Sequence, residues 1–393
     1  MTRQINDLAT KAIHAGEPVP RIAGAVVAPI FQSANFEYSG ESSYHDLRYI
    51  RLNNTPTHDV LHAKLAALEG AEAAVVTASG MAAISTALLS VLSPGGHLLV
   101  QGNLYGGTHT FVTRDLGDFG MTYTVIDADN PASWVSHLQS TTRAIYVEAM
   151  TNPLLQVADL AAVPTFARQH GLVSLIDSTF PSPVNFRPVE HGFDLVLHSA
   201  TKYLNGHSDI VAGAIAGRTD LVEVIRHRLN HLGGTLDPHA GFLLNRGLKT
   251  LSVRMRHQNE SALVIAGCLE RHSAVRRVNY PGLVSHPRHA RAAQLFDGFS
   301  GMLSFELSEG LEAAERFIKR CQLPVSAPSL GGVETLLTLP ATTSHAGMRS
   351  EERHLAGISD GLIRVSVGLE STSDLVNDFN CSLDLVGTPE TGE

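Results

Sequence analysis

From Ala73 to Thr113 the chain carries no Asp, Glu, Lys or Arg. A stretch of that length either crosses a membrane or lies deep in a core. Gly80 and Ser93-Pro94-Gly95-Gly96 interrupt it, so it never offers the roughly 18 clean apolar residues that a spanning helix needs. The remaining reading is strand, helix, strand. AAVVTAS is the first strand, GMAAISTALLSVL a helix stopped at Ser93-Pro94, and HLLVQ the second strand. Parallel strands covered on both faces read in this way.

The same texture continues. HDVLHAKLAALEG reads as a helix stopped by Gly70, and TYTVID, RAIYVEA, LVSLID and FDLVLHS follow as strands separated by helix-length segments. Such alternation implies an α/β fold with a large, mostly parallel sheet. Ligands of such sheets lie beyond the carboxyl ends of the strands, so the residues just after each strand are the place to look for chemistry. Residues 1–59 hold Pro18, Pro20, Pro29 and Pro56 with little periodicity and read as an extended arm. The large domain is expected over 60–250. Over 251–393 the helical arginine-bearing pattern, MLSFEL, EAAERFIKR and LIRVSVGL suggest a smaller α+β domain. The tail GTPETGE is expected to fray.

At 44% hydrophobic and 17% charged over 393 residues, the chain can bury a sizeable core and is not a disordered protein. Its net charge of −9 is spread along the chain, with no basic stripe of the kind nucleic acid requires. Three distant cysteines, Cys268, Cys321 and Cys381, make neither a disulfide framework nor a thiolate metal site. With no apolar leader in MTRQINDLATKAIHAGEP, the expectation is a cytoplasmic protein with no membrane partner. His58/His62 and His227/His231 have a spacing that could clip a metal, but they lack a third ligand and read better as exposed helix histidines, so no metal is expected.

Five lysines occur. Lys64 and Lys319 read as solvated helix residues, Lys11 lies in the arm, and Lys249 follows a helical turn. Lys202 directly follows the apolar strand FDLVLHS, in HSATKYLNGHSD. Partial desolvation there favours a neutral, nucleophilic amine, although a lysine at a strand end also snorkels to water. Asp177 ends LVSLID. It can cap a turn, or, with Lys202, serve a pyridoxal phosphate site, which needs a Schiff-base lysine and an acid beside the pyridinium nitrogen. VVTASGMAAIS places Ser79-Gly80 between a strand and a helix N-terminus, a setting that suits phosphate, and Ser199 and Thr201 could add hydroxyl donors. Neither GxGxxG after a strand nor GxxxxGK[ST] occurs, which removes support for dinucleotide and P-loop sites.

These residues resemble the pyridoxal-phosphate enzymes of cysteine and methionine metabolism, a family that includes cystathionine γ-synthase, cystathionine γ-lyase, cystathionine β-lyase, methionine γ-lyase and the O-acylhomoserine sulfhydrylases. The resemblance spans nearly the whole chain through HSATKYLNGHSD, SGMAAI, LYGGT, IDSTF, RGLKTLSVRM, YPGLVSHP, SLGGVETL and IRVSVGLE, in family order. It implies the aminotransferase-like fold type I, pyridoxal 5'-phosphate as cofactor, and a homotetramer built as a dimer of dimers with shared active sites. It makes Lys202 the Schiff-base lysine and Asp177 the partner of the pyridinium nitrogen. Ser79, Gly80, Met81, Ser199 and Thr201 would hold the phosphate. Tyr105 would stack on the ring and act as acid or base. Arg364, with Ser329 and Asn152, would bind the α-carboxylate of a small amino-acid substrate. Tyr49 and Arg51 would reach the phosphate of the neighbouring subunit.

The implied activity is γ-elimination or γ-replacement on a γ-substituted amino acid, closest to cystathionine γ-lyase or γ-synthase. Methionine γ-lyase, an O-acylhomoserine sulfhydrylase or an atypical γ-substituted substrate are the alternatives, and a non-catalytic scaffold is the remote one. LYGGT and SLGG weigh against a transaminase. The chain departs from family patterns at LNNTPTH after Arg51, at Ser178, at Gly107 (a cysteine in methionine γ-lyases), at Thr110 (arginine in many cystathionine enzymes) and at Pro328 (often glutamate in cystathionine γ-lyases).

Overall fold

The computed structural model of the protein describes residues 6–385; the tail Gly387–Glu393, expected to fray, lies outside them. The chain forms two compact units. The first takes residues up to Gly102, Gly107–Ala149 and Ala158–Val253, and the second takes Asn103–Gly106, Met150–Val157 and the chain from Arg254 onward.

The first unit is built on a seven-stranded sheet: β1 (Ala73–Thr77), β2 (His97–Gln101), β3 (Thr122–Ile126), β4 (Thr142–Glu148), β5 (Val173–Asp177), β6 (Leu195–His198) and β7 (Gly213–Gly217), in spatial order 1-7-6-5-4-2-3. From β6 across to β3 the neighbours run parallel, and β7 runs antiparallel to both β1 and β6. Strands β2, β6 and β7 are buried along their whole length, as charge-free strands covered on both faces must be. β7 has the sequence GAIAG, too small and too glycine-rich to stand out by pattern. It is nonetheless required where it is. A β-carbon on Gly213 would sit 2.2 Å from the Ser79 carbonyl oxygen, so the chain can pass beneath the strand-to-helix turn only at glycine.

The first helices of this unit are α1 (Leu8–His14), α2 (Pro56–Glu69) and α3 (Gly80–Leu92); α1 packs on α2, and the later helices Ala162–Gln169 and Thr219–Leu232 also pack on the sheet. The uncharged run Gly80–Leu92 forms α3, with Ser79 as its N-cap. Such a helix, apolar nearly all round, is stable only when buried. It packs on β4, β6 and β7, and α2 packs on β1 and β7. Among the described residues, the stretch 6–59 read as an arm holds α1, short single turns at Ile22–Gly24, Tyr44–Asp46 and Ile50–Leu52, and the first residues of α2.

Lys64 is not solvated. It is fully buried on α2, where its ammonium donates to the carbonyls of Ala12 (2.9 Å) and Ile13 (3.2 Å) and pairs with Glu17 at 3.2 Å. Those carbonyls lie in the last turn of α1, so the lysine caps a helix whose end lacks intrahelical donors. Burial pulls its pKa down to about 8, with Glu17 opposing. His58 is likewise buried rather than exposed. One ring nitrogen lies 2.7 Å from the Leu236 carbonyl and the other 2.8 Å from the Thr55 hydroxyl. His227 and His231 are exposed, their rings packed edge to face.

The second unit holds a five-stranded sheet: β8 (Val275–Asn279), β9 (Met302–Leu307), β10 (Val325–Ser326), β11 (Leu336–Thr338) and β12 (Leu362–Ser366), in order 10-11-12-9-8. The helices Leu311–Arg320 and Thr372–Asp384 pack together beside it. Phe317 meets Phe305 and Phe379 edge to face at 5.4 and 5.6 Å, a favoured aromatic geometry. The central strand β12 is buried throughout, and Arg364 is its middle residue.

Candidate active site

Within the first unit, β5 and β6 pair in parallel with Asp177 opposite Leu197, so their carboxyl ends finish side by side. Asp177 closes β5. The turn Ser199–Asn205, bearing Lys202, follows β6. The Lys202 N–H donates to the Ser199 carbonyl (3.1 Å), and the Lys202 carbonyl accepts from the Gly206 N–H (2.8 Å). Thr201 anchors the same turn. Its N–H and its hydroxyl both donate to the Ala212 carbonyl at 3.1 Å, so in this structure the hydroxyl proton is committed to the loop.

The N-terminus of α3 meets that turn. Ser79 Oγ accepts from the Ala82 N–H at 3.0 Å. The N–H groups of Gly80 and Met81 belong to the first turn, where no intrahelical acceptor exists. A β-carbon on Gly80 would lie 2.8 Å from the Ser199 β-carbon and 2.9 Å from its Oγ. Only glycine allows this approach, which brings the helix N-terminus against the residue three places before Lys202.

Thr179 was given no role by sequence reasoning, and it ties the cluster together. Its N–H donates to Asp177 Oδ1 at 2.9 Å, while its hydroxyl oxygen accepts from the Ser199 N–H at 2.9 Å. The signal was available in IDSTF, since an Asp commonly accepts from the N–H two residues on, but the second bond joins separate strands. Burial pushes the Asp177 carboxyl above the usual carboxylate range, against the pull of the Thr179 hydrogen bonds and of His198. Such a carboxyl suits a cationic N–H donor, because ionised oxygen in a desolvated place needs a compensating charge.

Tyr49 and Arg51 cluster on the arm. The Arg51 guanidinium lies over the Tyr49 ring at 5.7 Å, donates to the Asn230 carbonyl at 3.0 Å and contacts the Tyr44 hydroxyl. A cavity of about 360 Å³ opens beside them, lined by Tyr38, Tyr44, Arg48 and these two residues among others.

The second unit assembles Asn152, Ser329 and Arg364. Arg364 is 4% exposed. Its guanidinium donates to the Ser329 carbonyl at 2.7 Å and to Asn152 Oδ1 at 3.3 Å. Ser329 holds φ at +89°, a sparsely populated conformation for a residue with a side chain. The loop after it is pinned by the Gly331 N–H on Ser366 Oγ (2.8 Å) and by Gln258 on the Gly332 carbonyl (2.9 Å). Tyr105 belongs to this unit and is 42% exposed. The next residue, Gly106, approaches the Ser344 carbonyl so closely that a β-carbon would lie 2.4 Å from it, which explains a glycine after the tyrosine.

Among the described residues no group of three or more His, Cys, Asp or Glu side chains is placed to hold a metal, and no helix is long and apolar enough to cross a membrane.

The chain is similar over most of its length to characterised proteins. It is 40% identical to L-methionine gamma-lyase of Pseudomonas putida, covering 97% of this chain and 98% of that one. It is 38% identical to cystathionine beta-lyase of Coxiella burnetii, covering 95% and 97%. The crystal structure of cystathionine gamma synthase from Xanthomonas oryzae pv. oryzae, in complex with aminoacrylate and cysteine, superposes with a TM-score of 0.93 at 40% identity over 98% of this chain and 99% of that one. Residues 9–384 match the family described as Cys/Met metabolism PLP-dependent enzyme. With the lysine, the carboxylate and the glycine-opened helix end in place, the chain belongs to this family of pyridoxal-phosphate enzymes of cysteine and methionine metabolism, and its fold is theirs.

Proposed function

We propose that this enzyme acts on a γ-substituted amino acid, eliminating or exchanging the γ-substituent in the manner of a cystathionine γ-lyase or γ-synthase. The observation that carries the reading is the joined cluster at the ends of β5 and β6: Asp177 bonded to Thr179, Thr179 to Ser199, and Ser199 against Gly80, three residues from Lys202. The cluster fits pyridoxal phosphate. The Gly80 and Met81 N–H groups and Ser199 offer donors to its phosphate at a positive helix end. Thr201 shapes the loop, Asp177 takes the ring nitrogen, and Lys202 takes the aldehyde.

When bound, pyridoxal phosphate supplies an electron sink for negative charge at the substrate's α-carbon. The chain's own residues do the rest. Lys202 removes the α-proton and carries protons between neighbouring carbons. Tyr105, through its hydroxyl, delivers a proton to the leaving group or accepts one from the incoming nucleophile. Arg364 grips the α-carboxylate with a planar fork that Ser329 and Asn152 hold in orientation. Arg364→Ala should raise KM for amino-acid substrates by about thirtyfold or more, the loss expected when one partner of a buried charged pair is removed; a change in KM below threefold would place the carboxylate elsewhere.

We also place the arm, residues 1–59, at the active site of a neighbouring subunit in a homotetramer, with Tyr49 and Arg51 directed to the phosphate there. The exposed Val19, Val26, Val27, Tyr38 and Tyr44 of the arm support this. Refolding Arg51→Ala subunits together with Lys202→Ala subunits should restore part of the activity that each lacks alone, whereas independent sites would restore none. Free thiols at Cys268, Cys321 and Cys381 suit a reducing cytoplasm.

The relatives named above carry three different activities, and Gly107 weighs against a strict methionine γ-lyase. The deciding experiment is a substrate panel: cystathionine, methionine, homocysteine, cysteine and O-acylhomoserines, each with and without a thiol, with ammonia, 2-oxo acid and new amino acids measured together. Release of 2-oxo acid and ammonia from a γ-substituted member marks elimination, and a thiol-dependent new amino acid marks replacement. Turnover of no γ-substituted member would overturn the reading.

A further inference from the structure

We propose that Gln258 is a positioning residue for Arg364: its side-chain amide locks the turn that aims the Ser329 carbonyl at the guanidinium. The inference rests on the reading of Arg364 as the grip on the substrate's α-carboxylate.

Gln258 lies on the helix Leu251–Arg271 and is fully buried. Its amide donates to the Gly332 carbonyl at 2.9 Å, while its own Oε1 is buried with no hydrogen-bond partner among the described residues. A buried amide oxygen without a donor is a cost to the fold. A methionine or leucine would fill the same space without that cost, so the residue is explained by what its amide nitrogen holds.

What it holds is a turn in an unfavourable conformation. Ser329, with φ at +89°, and Gly331, with φ at +74°, both lie in the left-handed half of the map, where a residue with a β-carbon stays only if its surroundings fix it. After the turn the chain is tied to the continuation of β12. The Leu369 N–H donates to the Val333 carbonyl at 2.8 Å, and the Glu370 carboxylate accepts from the N–H and the hydroxyl of Thr335, both at 2.7 Å. Within the turn the Gly331 N–H donates to Ser366 Oγ at 2.8 Å. Ser366 is on β12 with Arg364. Gln258 fastens the next residue, Gly332, from a second element, so two elements hold the turn.

The consequence falls on Arg364. Its guanidinium donates to the Ser329 carbonyl and to Asn152 Oδ1, so the plane of the fork depends on where that carbonyl points. A fork binds a carboxylate through two parallel bonds only when it is aligned with it. A relaxed turn would swing the carbonyl away and spoil the alignment while leaving every charge in place.

The test is the binding of two probes to the holoenzyme, followed by the absorbance of the cofactor. L-norleucine is an amino acid with no leaving group, and pentylamine is the same molecule without its carboxylate. The parent should prefer norleucine, and Arg364→Ala should lose most of that preference. Gln258→Met and Gln258→Leu remove the donor with little change of volume. Each should weaken norleucine about fivefold, the size of one net hydrogen bond, and leave pentylamine within about twofold. Ser366→Ala, which removes the other fastening, should act in the same direction. In an Arg364→Ala background, Gln258→Met should change neither probe further. The positioning role is overturned if both Gln258 variants bind norleucine as the parent does, weaken the two probes equally or fail to fold, or if Gln258→Met adds its own loss in the Arg364→Ala background. A parent with no preference for norleucine, or an Arg364→Ala protein that keeps it, overturns the reading of Arg364 and the positioning role with it.

Discussion

Lys202→Ala removes turnover, with kcat/KM down by about 10⁴-fold or more, the upper range for loss of a positioned acid–base group, compounded here by loss of the covalent anchor. The variant should still fold. Lys202 sits in a turn whose hydrogen bonds to Ser199 and Gly206 use only its backbone, and alanine keeps both. It should bind pyridoxal phosphate through the α3 N-terminus and Asp177 while losing the yellow colour of the lysine-bound form. Equilibrium dialysis and a visible spectrum of the purified variant measure both effects. A yellow, active variant would place the chemistry on another lysine.

Asp177→Asn acts with opposite signs on function and on stability. Function should fall by roughly 10²–10³-fold in kcat/KM, because the amide cannot hold a protonated ring nitrogen and loss of one member of a buried charged pair is of that size. Stability of the cofactor-free protein should rise at neutral pH. The sign follows from the raised pKa of the Asp177 carboxyl. A folded-state carboxyl that holds its proton more tightly than the unfolded chain stabilises the fold below the unfolded value of 3.8, and this contribution is lost as pH rises through the folded value. Asparagine has no such loss. The difference in melting temperature between variant and parent should therefore be near zero at low pH, grow as pH passes through the folded value, and level off above it. A variant less stable than the parent at neutral pH would mean that Asp177 is compensated within the chain and does not need a cationic ligand.

The parts of this site legible in the sequence were those governed by local pattern. The run Gly80–Leu92 declares its helix by lacking any charge and by Ser79 before Gly80. LVSLID and FDLVLHS declare buried strands, and the parallel-sheet rule then directs attention to Asp177 and Lys202. What stayed hidden depends on pairings across the chain. Lys64 looks like any helix-surface lysine until α1 is seen to lay its last carbonyls on it. His58, one of two histidines at metal-clip spacing, is a core residue because the Leu236 carbonyl arrives from far along the chain. Thr179 reads as a turn residue, and only the β5–β6 ladder shows its hydroxyl meeting Ser199. The Glu69–His198 contact joins positions 129 residues apart, which no local periodicity encodes. Strand β7, GAIAG, has neither β-branched runs nor alternation, and owes its place to the space that only glycine leaves under Ser79.

The most direct measurement is to reduce the holoenzyme with borohydride, digest it and map the modified peptide by mass spectrometry. The account predicts a single pyridoxyl group, on the peptide containing HSATKYLNGHSD and on the side chain of Lys202. A group on Lys11, Lys64, Lys249 or Lys319 instead, or a protein that binds the cofactor and carries no reducible link at all, would contradict it.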